Sequence, residues 1–135
     1  MKKYFLFVIL SLITNSIYSQ VSSCPNSDFE SGTFSGWQGS TGSCCPISTP
    51  NLGLVPGRHT IMTGSGTDPN TCDVVSVVAP GGLYSARLGN DSVGAGAESL
   101  TYIVNVTPTS TLFIYKYAVV LEDPGHSTND QPVFK

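Results

Sequence analysis

The sequence predicts an all-β fold, a two-sheet antiparallel β-sandwich of jelly-roll type, and three observations carry that expectation. Apolar residues between 98 and 121 recur with period two, Gly, Ser, Thr, Asn and Pro divide the rest into short runs, and no helical periodicity appears beyond the first 19 residues. The longest alternating stretch, residues 98–126, predicts a hairpin at the centre of the sandwich. In its first arm Leu100, Tyr102, Val104 and Val106 share one face, while Thr101, Asn105 and Thr107 share the other. The second arm is apolar on both faces, with Phe113, Tyr115, Tyr117, Val119 and Leu121 on one side and Leu112, Ile114, Ala118 and Val120 on the other. Such a strand belongs inside a sheet that is covered on both sides. Pro108 and the Pro124-Gly125 pair end the two arms, because proline cannot donate to a ladder.

The earlier elements follow from punctuation. Residues 26–37 set Phe29, Phe34 and Trp37 among turn residues and predict an edge strand, a turn and a second short strand, with Trp37 in the core. Residues 39–57 are rich in Gly, Ser, Thr and Pro and carry Cys44 and Cys45, so a long loop held by a disulfide is expected there. Residues 58–63 predict a strand and 64–73 another loop. Residues 74–78 and 84–90 predict two strands joined by the tight turn at Pro80-Gly81-Gly82, and 91–96 a link into the hairpin. Seven or eight short strands of this kind make a sandwich or jelly roll.

The first 19 residues have the form of a secretory signal peptide. Lys2 and Lys3 precede an apolar run over 4–13, and small Ser19 marks the cleavage point. The run is shorter than the roughly 20 residues that span a bilayer. A second processing pattern, Val21-Ser22-Ser23-Cys24, is lipobox-like, but Cys24 lies well beyond the apolar run. The expected organisation is a signal peptide over 1–19 and a β-sandwich domain over 20–135, with no membrane span after cleavage. Gln131 to Phe134 has the pattern of an opening strand, so the domain is expected to continue past the C-terminus of this sequence. The location implied is secreted, extracellular or at the cell surface.

After cleavage Arg58, Arg87, Lys116 and Lys135 face nine acids, a formal charge of −5, and no basic patch exists to hold phosphates. Nucleic acid is thereby excluded as the expected partner. Four cysteines in an exported chain predict disulfides. Adjacent cysteines give poor disulfide geometry, so Cys24 and Cys72 are expected to bond one each to Cys44 and Cys45. A zinc site is disfavoured, because there is no CxxC and His59 and His126 lie at no ligand spacing.

Catalytic motifs are missing: there is no GxSxG, no HExxH and no glycine-rich phosphate loop. Glu122 and Asp123 followed by His126 place an acid beside a histidine, but Asp123-Pro124-Gly125 is better read as a turn, and His59 as a surface residue. The expectation is therefore not an enzyme. Oxygen-rich loops at Asp28-Glu30, Asp68-Asp73 and Asp91-Glu98 are the candidates for calcium, which takes six to eight such ligands. For stacking on sugar rings the candidates are Tyr84, Tyr102, Tyr115 and Tyr117, since a tyrosine offers a flat apolar face with a polar tip.

Residues 26–37, NSDFESGTFSGW, together with SARLGN, AESLTYIVNVT and FIYKYAVVLEDPGHSTNDQPVF, resemble a galactose-binding-like jelly-roll module of the carbohydrate-binding kind. Modules of this sort lie near the N-terminus of large surface proteins of gliding bacteria, which are exported by type IX secretion. The resemblance implies a two-sheet jelly roll with a structural calcium near its opening strand, and it maps the acid that helps hold the ion onto Glu30. It also implies a non-catalytic module for binding or adhesion, with a glycan or extracellular polymer as partner. Alternatives are a structural spacer without its own ligand and, less favoured, a hydrolase fragment. The ligand-binding candidates are then Tyr84, Tyr115 and Tyr117.

Overall fold

The structure, a computed structural model, describes residues 24–108, 112–122 and 125–135. The signal peptide expected over 1–19 lies outside them, as do residues 109–111 and 123–124 at the expected ends of the second hairpin arm. The described chain is all-β, with five strands in two antiparallel sheets. In the first, β1 (Gln38–Ser43) lies between β2 (Ser48–Leu52) and β5 (Gly96–Thr101). In the second, β3 (His59–Thr63) pairs with β4 (Tyr84–Leu88) from His59 opposite Leu88 to Thr63 opposite Tyr84.

The first sheet departs from expectation. Residues 39–57, expected as one loop, supply both β1 and β2. Glycine is a poor strand former, but here small size decides the matter, because β1 is crowded from several directions. A Cβ on Gly39 would lie 2.6 Å from Leu54 Cδ2 and 3.1 Å from His59 Nε2, and one on Gly42 would collide with the Ser48 carbonyl oxygen. Pairing on both edges fixes the register, with Ser40 opposite Ser99 and their hydroxyls 2.6 Å apart.

Among the described residues the two arms of the long hairpin expected over 98–126 are not seen paired. Its first arm pairs with β1 instead, from Gln38 opposite Thr101 to Ser43 opposite Gly96, and the strand stops at Thr101. The next residue, Tyr102, turns toward the N-terminal loop, where its hydroxyl donates to the Pro25 carbonyl (2.8 Å) and its ring lies 5.0 Å from that of Trp37. Residues 112–122 form no strand. Nor do residues 74–78, which contribute the isolated bridge Thr67–Ser76 while β4 takes β3 as its partner.

Residues 26–37 are a chain of turns rather than strands, organised by Asn26. Its side-chain amide donates to the Thr33 and Ser35 carbonyls (2.9 Å each), its side-chain oxygen accepts from the Ser31 amide (3.1 Å), and its own carbonyl accepts from the Trp37 indole (2.9 Å). Inside this loop Phe29 stacks on Trp37 at 4.4 Å and meets Phe34 edge-on at 6.1 Å. Gly32 takes a φ of 68°, and a Cβ there would press within 3.0 Å of the Tyr84 ring. Both facts favour glycine.

The two sheets meet through polar groups. His59, expected at the surface, is 4% exposed. Its Nδ1 accepts the Val55 amide proton, which leaves the Nε2 proton to donate to the Ser99 carbonyl, both at 3.1 Å. Beside it the Arg58 guanidinium holds Glu98 at 2.5 Å and donates to the Gly42 and Ala97 carbonyls. Among the described apolar residues only Val78 and Ala97 are buried, alongside Ser40 and Thr41. Two variants measure these contacts in urea unfolding. Glu98→Ala leaves a half-buried guanidinium unpaired and lowers stability by about 2 kcal/mol. Asn26→Asp removes two donors and faces a carboxylate to two carbonyls, a loss of about 2–3 kcal/mol, whereas an unchanged midpoint would show that the loop is held by its rings alone.

Candidate functional site

An extended chain brings every second side chain to one face, about 6.6 Å apart. In residues 112–122 this places rings in a row. Phe113 and Tyr115 have centroids 6.1 Å apart, Tyr115 and Tyr117 5.5 Å apart, and Phe134 from the C-terminal segment extends the row by stacking on Tyr117 at 5.4 Å. Neighbouring ring planes are tilted by 35° and 32° along 113–117, and Phe134 lies 18° from Tyr117. All four are open to solvent, Tyr115 and Tyr117 by 63% and 65%. Lys116 tethers the segment to the body of the protein by donating from Nζ to the Pro80 carbonyl at 2.7 Å.

Two of the three tyrosines proposed from sequence, Tyr115 and Tyr117, therefore stand together. Tyr84 does not join them. It sits half-buried at the start of β4 with its ring over Gly32, a structural position. Tyr102 likewise belongs to the N-terminal loop, and desolvation, with smaller contributions from Cys24 and Asp28, raises its hydroxyl above the usual phenol range and keeps it a donor. Phe113 shares the period-two face of Tyr115 and Tyr117, so alternation alone could have found it. Phe134 lies beyond a turn, and nothing in its neighbours announces its place in the row.

Glu30, the acid that the resemblance maps to calcium, accepts backbone amides in this structure. Both carboxylate oxygens accept the Leu83 amide (3.0 Å each) and Oε1 also accepts the Tyr84 amide (3.4 Å), fastening the N-terminal loop to the start of β4. These two N–H donors complement the negative charge of the carboxylate. Glu98, at the end of the third oxygen-rich stretch, is committed to Arg58. Among the described residues no group of three or more His, Cys, Asp and Glu is placed to hold a metal ion.

The cysteines also differ from expectation. Cys44 and Cys45 are bonded to each other at the turn between β1 and β2. That turn holds the two sulfurs side by side at the edge of the first sheet, whereas Cys24 lies in the N-terminal loop and Cys72 is exposed in the loop after Pro69–Thr71. The disulfide lines an open cleft of about 230 Å³ with Pro46, Ile47 and the C-terminal residues Gln131 and Val133. His126 belongs to the C-terminal turn, its Nδ1 3.3 Å from the Asp130 carbonyl, and no described contact brings it to Glu122. Among the described residues no helix is long and apolar enough to cross a membrane.

Comparison with protein-family profiles, with characterised proteins and with solved structures finds no match. The geometry of Glu30 has a direct consequence. Glu30→Gln keeps one acceptor oxygen and loses the charge, lowering stability by about 1 kcal/mol, and the loss is the same in calcium as in chelator. A calcium-dependent difference in melting between wild type and the variant would show instead that Glu30 serves an ion.

Proposed function

We propose that this protein is a secreted or cell-surface, non-catalytic binding module whose ring row takes an extended glycan or a comparable extracellular polymer. The observation that carries the reading is the exposed row of contiguous rings Phe113, Tyr115, Tyr117 and Phe134. A pyranose ring has an apolar face of C–H groups and a rim of hydroxyls. Aromatic faces match the first, and the two tyrosine hydroxyls can bond the second. A row extended along the chain suits a polymer better than a single sugar. Single-stranded nucleic acid also stacks on aromatic rows, but such sites add a positively charged groove. Here the formal charge is −3 and Lys116 is the one cation within 112–122. In this reading the two antiparallel sheets are the frame of a jelly-roll module, and the support for it is their all-β, antiparallel pairing.

Polysaccharide affinity electrophoresis and a glycan array test the proposal. The wild-type chain is retained by at least one polymer, Tyr115→Ala and Tyr117→Ala each weaken retention roughly tenfold, and Tyr84→Phe leaves it unchanged. If the wild-type chain ignores every polymer, the ring row is not a sugar platform and the module is a spacer.

A further inference from the structure

Residues 112–122 form no strand, are apolar at both odd and even positions and make no backbone–backbone hydrogen bond to any other described residue. Leu112, Ile114 and Val120, at even positions, are 79%, 76% and 54% exposed. A segment with free backbone groups of this kind can form a strand by pairing with another. We propose that it pairs antiparallel with the same segment of a second copy of this chain, in the register that sets Lys116 of each copy opposite Glu122 of the other.

Charge selects both the partner and the register. Parallel, in-register pairing would face Lys116 to Lys116 and Glu122 to Glu122, and like charges directly opposite are unfavourable. An antiparallel ladder centred on Tyr117 sets Lys116 against Ala118, and one centred on Ala118 sets it against Val120. Centred on Val119, the ladder has two Lys116–Glu122 pairs at its ends, with Tyr117 opposite Leu121, Ala118 opposite Val120 and Val119 opposite itself between them. Of these arrangements it alone pairs the two charged residues with each other, and between them it pairs every apolar residue of 117–121 with an apolar one. A shift of one residue would turn the ring row of one copy to the opposite face. In the chosen register both rows lie on the same face, so two copies form one longer platform. Pro124, which cannot donate, limits the ladder just beyond Glu122.

Sedimentation velocity on the purified chain over a concentration series tests the pairing. The wild type is expected to shift from monomer to dimer by about 100 µM. Lys116→Glu and Glu122→Lys each put like charges opposite at both ends of the ladder and weaken self-association about tenfold. Mixing the two variants restores the dimer, because a mixed pair has opposite charges at both ends. A wild type that stays monomeric, single variants that dimerise as well as the wild type, or a mixture no better than its components would each overturn the proposal. Dimerisation is read without any glycan, so a dimer that ignores polysaccharides removes the proposed ligand and leaves the pairing standing.

Discussion

The two sheets are held to one another by a polar clasp, and the other contacts are arranged around it. His59 bridges the Val55 amide and the Ser99 carbonyl, and Arg58 gathers Glu98 and the carbonyls of Gly42 and Ala97. With Val78 and Ala97 as the buried apolar residues of the described chain, non-directional apolar burial supplies little to orient one sheet on the other. Directional bonds supply that orientation. Their cost is that each partner must be present, since a buried donor or acceptor left alone loses its hydration without replacement. This explains why β1 is built from Gly39, Ser40, Thr41 and Gly42. Larger side chains would push the strand away from His59 and Leu54 and open the clasp.

A second set of directional contacts fastens the N-terminal loop to the same frame. Asn26 closes the loop on itself, and Glu30 ties it to the amides at the start of β4. Tyr102, the residue after β5, ties it to the first sheet through the Pro25 carbonyl. The loop therefore spans both sheets, and the aromatic residues that look like core in sequence form a local cluster within it.

Eight of the exposed large apolar side chains lie in residues 112–122, and there the chain combines exposure with order of another kind. Alternation groups the rings of 113, 115 and 117, so one segment offers a contiguous aromatic row and backbone groups with no backbone partner among the described residues. Large exposed apolar patches mark interaction surfaces. The rings suit a ligand with flat apolar faces, and the edges suit another strand.

How much of this was legible depends on the range of the interaction concerned. The strands β3 and β4 were visible because Thr60, Ile61 and Met62, and Tyr84 through Leu88, are bounded by glycines that end them locally. The ring face of 113, 115 and 117 was visible because period two is a property of the backbone itself. The strands β1 and β2 were not, because Gly-Ser-Thr-Gly has no strand preference of its own and becomes a strand through neighbours on both edges. The burial of His59 and the amide contacts of Glu30 are not legible for the same reason, since their partners lie 40 and 53 residues away. Sequence by itself determined the all-β character and the alternation of side chains, which follow from residue preference and backbone geometry. Tertiary structure alone decided which strand pairs with which and which polar groups are buried, because those outcomes depend on distances between residues remote in the chain.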